Sequence, residues 1–209
     1  MAGTTASHNK AGQYTRNRRA PVQPIGTGRR AFIRSAFGQN AKGYGALTQS
    51  QQAAWLAWAN NYPIVDALGQ SIKMTAQNAY IAINTALLNA GQPVSQVPPA
   101  SNATTAPVIT AYTIDDTGTI TLTLDGSGAE TDFILVAFSR PTSGGVAYMK
   151  TFWQATSVAA NATTVSGITA LYQAQFGVPT PGQRVFIRLT PVNQYGVTGT
   201  PLITFATVA

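Results

Sequence analysis

The sequence has no cysteine, one histidine, and charge on only 9% of its 209 residues. Without cysteine, disulfides, thiolate zinc sites and cysteine nucleophiles are excluded. His8 lies beside Ser7 with no acid or second base near it in sequence. It reads as a solvated residue, because catalysis needs held geometry. A globular domain usually carries about a quarter charged residues, so this surface must be solvated largely by neutral Thr, Ser, Gln and Asn side chains. No apolar run approaches the roughly 18–20 residues of a membrane span, so no membrane partner is expected. The N-terminus lacks the apolar stretch of a secretory signal, and Gly12, Pro21, Pro24, Gly26 and Gly28 break the periodicity of a transit peptide. Nucleotide signatures are missing as well. The Gly-Thr-Gly-Arg-Arg stretch at 26–30 follows no buried strand and lacks a Gly-Lys-Ser/Thr step, so it reads as a hinge, and no cofactor is expected.

The acids are few and unevenly placed. The net charge of +7 divides into a segment at 1–42 with eight cations and no acid, and a remainder with five cations and six acids, a net of −1. Six of the eight are arginines: Arg16, Arg18, Arg19, Arg29, Arg30 and Arg34. Aspartates elsewhere sit in turn contexts, Asp115 and Asp116 before Gly118 and Asp125 before Gly126, where turn chemistry accounts for them without a hydrolytic pair or a calcium site. The sequons at Asn102 and Asn161 matter only in a eukaryotic secretory pathway.

Organisation follows from composition. Residues 1–45 are rich in Gly, Arg, Ala and Asn with scattered apolar residues, too few to offset ordering entropy, and read as an extended basic arm. Residues 46–91 read as a helical hairpin. Thr48 and Gln51 form a capping-box pattern ahead of Trp55, Trp58, Ala59 and Tyr62 at helical spacing, and Pro63 stops the helix. Thr75 caps a second helix with Ala79, Ile83 and Leu87 on one face and Gly91 as its stop. Residues 92–107 contain four prolines and no charge, the composition of an extended linker. From 108 to 209, seven short strand-like runs separated by Gly and Pro turns predict an all-β sandwich. The expected fold class is a multi-domain α+β protein: arm, helical hairpin, linker and sandwich.

The stretch from Gly182 to Val208, with its Val192-Asn193-Gln194-Tyr195-Gly196 step, resembles the last two strands of a fibronectin type III domain, although the early-strand Trp of that family is missing. The helical segment, with Leu47-Thr48, Gln51, Ala54-Trp55, Gly69, Thr75, Asn78-Ala79-Tyr80, Asn84 and Ala90-Gly91, resembles tailed-bacteriophage virion proteins. The two resemblances imply a non-enzymatic virion component: a helical docking module bearing a fibronectin III/immunoglobulin-like domain. A head decoration or cement protein is the expectation, with a tail, connector or baseplate component as the alternative.

Partner-docking residues are expected among Arg16, Arg18, Arg19, Arg29, Arg30, Phe32, Arg34 and Phe37, since guanidinium forks suit carboxylates and aromatics fill apolar pockets. The expected partners are the major capsid protein or other virion subunits, with a homo-oligomer possible. Nucleic acid is the less favoured partner, because the arm mixes aromatics with its arginines. Trp55 and Trp58 are assigned to docking if exposed and to a small helical core if buried. Tyr148, Phe152 and Trp153 admit a carbohydrate platform or, by strand alternation, core.

Overall fold

A computed structural model describes residues 4–9, 12–17, 28–65 and 70–209; for the two N-terminal strands, Arg30 and Val65 it describes the backbone alone. It is an α+β structure with four helices and antiparallel sheets among these residues. Contacts divide the chain into Met1–Ala36 and Phe37–Ala209.

The first unit contains an antiparallel hairpin of β1 (Thr4–Asn9) and β2 (Gly12–Asn17), in which Ser7 lies opposite Tyr14. It also holds the start of α1 (Arg29–Gly45). This helix corrects the expectation of an extended arm through residue 45. Three glycines lower its intrinsic helicity, but tertiary packing outweighs propensity. Gly43 lies so close to the Tyr80 hydroxyl that a Cβ would stand 3.0 Å from it, and Asn40, almost fully buried, donates from Nδ2 to Thr85 Oγ1 at 3.2 Å.

Within the second unit, α2 (Gln49–Asn61) opens with the expected capping box. Thr48 Oγ1 accepts from Gln51 N–H, and Gln51 Oε1 accepts from Thr48 N–H. Two two-residue strands, β3 (Ile64–Val65) and β4 (Ser71–Ile72), lead to α3 (Ala76–Asn89), capped by Thr75. The helix ends where Gly91 adopts a positive φ and Gln92 N–H donates back to Leu87 O at 2.8 Å. Ala79, Ile83 and Leu87 form its buried face, as periodicity predicts. They pack with Trp55, Trp58, Ala59 and Tyr80 into a small core.

The rest is built from β5 (Ile109–Ile114), β6 (Ile120–Leu124), β7 (Phe133–Phe138), β8 (Trp153–Ala159), α4 (Ile168–Phe176), β9 (Arg184–Val192) and β10 (Leu202–Thr207). One sheet has the order β10-β9-β7-β8 and the other pairs β5 with β6. Alternation places Ile120, Leu122 and Leu124 of β6 in one core with Ile134, Val136 and Phe138 of β7 and Val185, Ile187 and Leu189 of β9. Burying each such side chain is worth about 1.5–3 kcal/mol. At one edge Ile114, the last residue of β5, makes an isolated parallel bridge with Val208, just past the end of β10.

The C-terminal part is not all-β. Of residues 163–169, the fifth of the seven strand-like runs, only 163–165 hydrogen-bond to β6, through Leu124 N–H to Thr163 O and Val165 N–H to Leu122 O. Gly167, in the left-handed conformation, then turns the chain into α4, whose Ile168 and Tyr172 complete the core. No side chain caps α4, so the usual sequence signal for a helix start is missing. Residues 146–156, the fourth of these runs, join a strand only from Trp153.

Residues 92–107 have no regular secondary structure and are held on both sides. Trp55 Nε1–H donates to Gln96 O at 2.9 Å, and Asn84 exchanges two hydrogen bonds with the Ser95 backbone. Farther on, Asn193 Nδ2 donates to Ser101 O and Ala103 O. Helices α2, α3 and α4 and the sheets formed by β3 to β10 therefore belong to one compact unit, and 92–107 is a seam within it. The Asn193–Gly196 turn closes that seam. Gly196 has φ +89°, and a Cβ on it would stand 2.6 Å from Ile83 O and 2.8 Å from Leu87 Cγ. No helix among the described residues is long and apolar enough to cross a membrane.

Candidate functional site

The residues expected to dock a partner fall into three groups. Arg16 lies on β2, whose backbone alone is described, and the Arg30 backbone lies in α1. Arg18 and Arg19 lie outside the described residues. The remaining α1 residues are placed in full. At its start Arg29 is half-buried with its guanidinium carbon 5.1 Å from the centre of the Phe32 ring, a cation–π arrangement. Burial lowers the Arg29 pKa below its ordinary value, but an arginine stays charged at neutral pH. Phe32, Ile33 and Arg34 are exposed in the first unit. In the second unit Phe37 is 57% exposed, a large aromatic left in water. Exposed apolar side chains on a segment rich in cations and free of acids suit a partner surface that offers both carboxylates and apolar pockets.

Trp55 and Trp58 do not belong to this surface. Trp55 is fully buried and Trp58 nearly so. Trp55 meets Tyr80 edge-on at 5.2 Å and Trp58 at 6.0 Å, the geometry that aromatic quadrupoles favour. Their assignment to docking is therefore corrected to core: a two-helix module has few other large side chains with which to exclude water. The outward residue of α2 is instead Leu56, half exposed. The Ala53–Ala59 run is apolar throughout, and the face it buries is the one marked by helical spacing, Trp55, Trp58 and Ala59.

The remaining polar groups are mostly committed. Asp115 Oδ1 accepts from Thr117 Oγ1–H and from the N–H groups of Thr117 and Thr119. The Thr117 hydroxyl, then the Thr119 backbone, hold its pKa below the ordinary aspartate value. Asp125 is lowered likewise by its hydrogen bonds with Ser127. Both aspartates are turn residues, as their sequence context predicts. No group of three or more His, Asp or Glu side chains gathers among the described residues. On β9, Arg184 stacks 4.4 Å over Phe205 and donates from Nη1 to Val146 O, while Arg188 stacks 5.0 Å over Phe152.

Tyr148, Phe152 and Trp153 do not form one platform. Tyr148 is exposed in an irregular segment, Phe152 lies under Arg188, and Trp153 packs edge-on against Phe176 at 6.0 Å. Tyr172, by contrast, is fully buried between Phe138 and Phe176, and its hydroxyl has no hydrogen-bond partner among the described groups. Burial raises its pKa far above the ordinary range and does the same to neighbouring Tyr112, with the Tyr172 charge as a second cause there. These phenols stay neutral and structural.

Comparison of the chain with models of known families, with curated proteins and with solved structures finds no match.

Proposed function

We propose that this chain is a non-enzymatic structural protein of a tailed-bacteriophage virion, acting as a head decoration or cement protein. Its basic N-terminal segment and first helix dock on capsid subunits, and its β-rich part projects from them. The observation that carries this reading is the pairing of charge and exposure on α1: Arg34, Phe32 and Phe37 stand in solvent on a segment with eight cations and no acid. Aromatic and arginine side chains are enriched at protein–protein interfaces, and three of them exposed within two turns of one helix support this reading.

The β-rich part supports the family resemblance in its topology. Strands β7, β9 and β10 stand as C, F and G do in an immunoglobulin-like sandwich, with β8 added beyond β7. Opposite them β5 and β6 stand as A and B, and residues 163–165 pair with β6 where the next strand of that sheet belongs. We read it as a fibronectin III-like domain in which α4 has displaced most of one strand.

Docking by several weak contacts on one chain is multivalent, so each contact raises the effective concentration of the next. The test is competition for particle sites between the full chain and a form beginning at Phe37, which keeps the second unit whole. The truncated form is expected to lose at least tenfold in apparent affinity. Equal occupancy of particles by both forms would refute docking through the basic segment.

A further inference from the structure

Strand β10 is the last strand of the four-stranded sheet, so only one of its edges is paired with β9. On β9, Arg184 exchanges backbone hydrogen bonds with Thr142 and Phe186 O accepts from Ser139 N–H, both on the β7 side. By alternation Val185, Ile187 and Leu189 bond to Ala206, Thr204 and Leu202 of β10. The N–H and C=O groups of Ile203 and Phe205 therefore point to the other edge. Among the described residues β5 pairs with that edge only at the isolated Ile114–Val208 bridge. Away from the bridge a groove of about 550 Å³ opens, lined by Val108, Ile109, Tyr112, Leu202, Thr204 and Phe205 among others, none of them charged. Open strand edges are usually guarded by a charge, a proline or a bulge, because their unpaired backbone groups are a template for another strand. From Leu202 to Thr207 there is no such guard, and Leu202, Ile203 and Phe205 are exposed.

We propose that this edge accepts an extended segment of a partner protein, with acidic and apolar residues in alternation, as a further strand beside β10. The backbone groups of Ile203 and Phe205 supply the hydrogen bonds of strand addition, and the two faces of the sheet select the side chains. On the outer face Arg184 stacks 4.4 Å over the Phe205 ring, which carries its guanidinium across to β10. Its Nη1 donates to Val146 O, and no acid pairs with it among the described residues. A carboxylate on the added strand meets a guanidinium that the ring already holds in place. Residues on the other face of the added strand enter the uncharged groove, where a charge would lose its hydration without compensation. A second copy of β10 matches this edge less well, since Leu202–Thr207 carries no acid and the seam would gather two Arg184 side chains with nothing to offset them. Nucleic acid offers negative charge but no row of backbone N–H and C=O groups at strand spacing.

This site is independent of docking through α1, and its test needs only the free full-length chain. The probe is a capped hexapeptide that alternates glutamate with valine, titrated against the ¹⁵N-labelled protein while hydrogen exchange of the Ile203 and Phe205 amides is followed. That local readout separates the edge from the basic N-terminal segment, which attracts the same peptide. Exchange at both amides is expected to slow at least tenfold at saturation, and a peptide alternating lysine with valine is expected to bind the edge at least tenfold more weakly. Arg184→Gln is expected to erase that preference. Ile203→Pro deletes one outward N–H while leaving the ladder to β9 in place, and is expected to abolish protection at Phe205; it serves alone if the Arg184 variant does not fold. Unchanged exchange at both amides up to the solubility limit of the peptide would overturn the proposal. So would equal binding of the lysine peptide, undiminished binding by the variants, protection given by a single-stranded oligonucleotide, or protection that rises with protein concentration alone and so marks a second copy.

Discussion

Gly196→Ala tests the junction on which the compactness of residues 37–209 depends. Gly196 has φ +89°, where an L-residue pays about 1–2 kcal/mol for its Cβ. The new Cβ would also stand 2.6 Å from Ile83 O and 2.8 Å from Leu87 Cγ on α3, and forcing a methyl into packed surroundings costs about 1–3 kcal/mol. The expected loss is therefore about 2–5 kcal/mol, a fall of roughly 1–2 M in the urea midpoint at an ordinary slope. The control is Gly167→Ala, at φ +71° with nothing within 4 Å of the built Cβ, which bears only the conformational part, about 1–2 kcal/mol. Urea unfolding followed by tryptophan fluorescence reads both. Equal losses for the two variants would refute the reasoning, because they would mean that the Asn193–Gly196 turn does not press on α3.

Other expectations are more local. Tyr172→Phe removes a buried hydroxyl that has no partner and should leave stability unchanged or raise it by about 1 kcal/mol; a clear loss in calorimetry would show that the hydroxyl is satisfied by a water. Trp55→Ala should cost about 3–5 kcal/mol, since it empties the centre of the helical core and leaves Gln96 O without its donor. Phe37→Ser, at an exposed position, should change stability by no more than about 0.5 kcal/mol while weakening particle docking, as binding and unfolding measured on the same preparation would show. The folded-state pKa of Asp115 is lowered, so its contribution is present above the ordinary value of 3.8 and lost as pH falls through the lower folded value. The difference in unfolding midpoint between wild type and Asp115→Ala should accordingly be largest near neutrality and shrink in acid. A difference independent of pH would contradict the hydrogen-bonded turn.

Local chemistry was legible wherever one residue does one recognisable job. Thr48 with Gln51, Thr75, Pro63 and Gly91 set the ends of α2 and α3, and the alternation of Ile120, Leu122 and Leu124 identified β6 and its inner face. What stayed hidden depends on contacts far apart in sequence. Helix α1 carries three glycines and gains its place from Asn40 and Gly43 packing on α3, so its propensity argued against it. Helix α4 starts at an uncapped left-handed Gly167 in a stretch whose apolar residues also suit a strand. The proline-rich 92–107 has the composition of a free linker, yet Trp55, Asn84 and Asn193 reach its carbonyls from elements on either side. The candidate site divided along the same line. Exposure of Phe37 fits a docking residue, whereas the burial of Trp55 and Trp58 was open until their neighbours were known.

The proposed function is tested most directly by a cryo-electron microscopy reconstruction of the phage particle encoded together with this chain. Docking predicts the Phe37–Ala209 body on the outside of the capsid, with Arg34 and Phe37 of α1 and the preceding basic segment seated against capsid subunits. A particle that lacks the chain, or one that holds it through the β-rich part with α1 free in solvent, would contradict it.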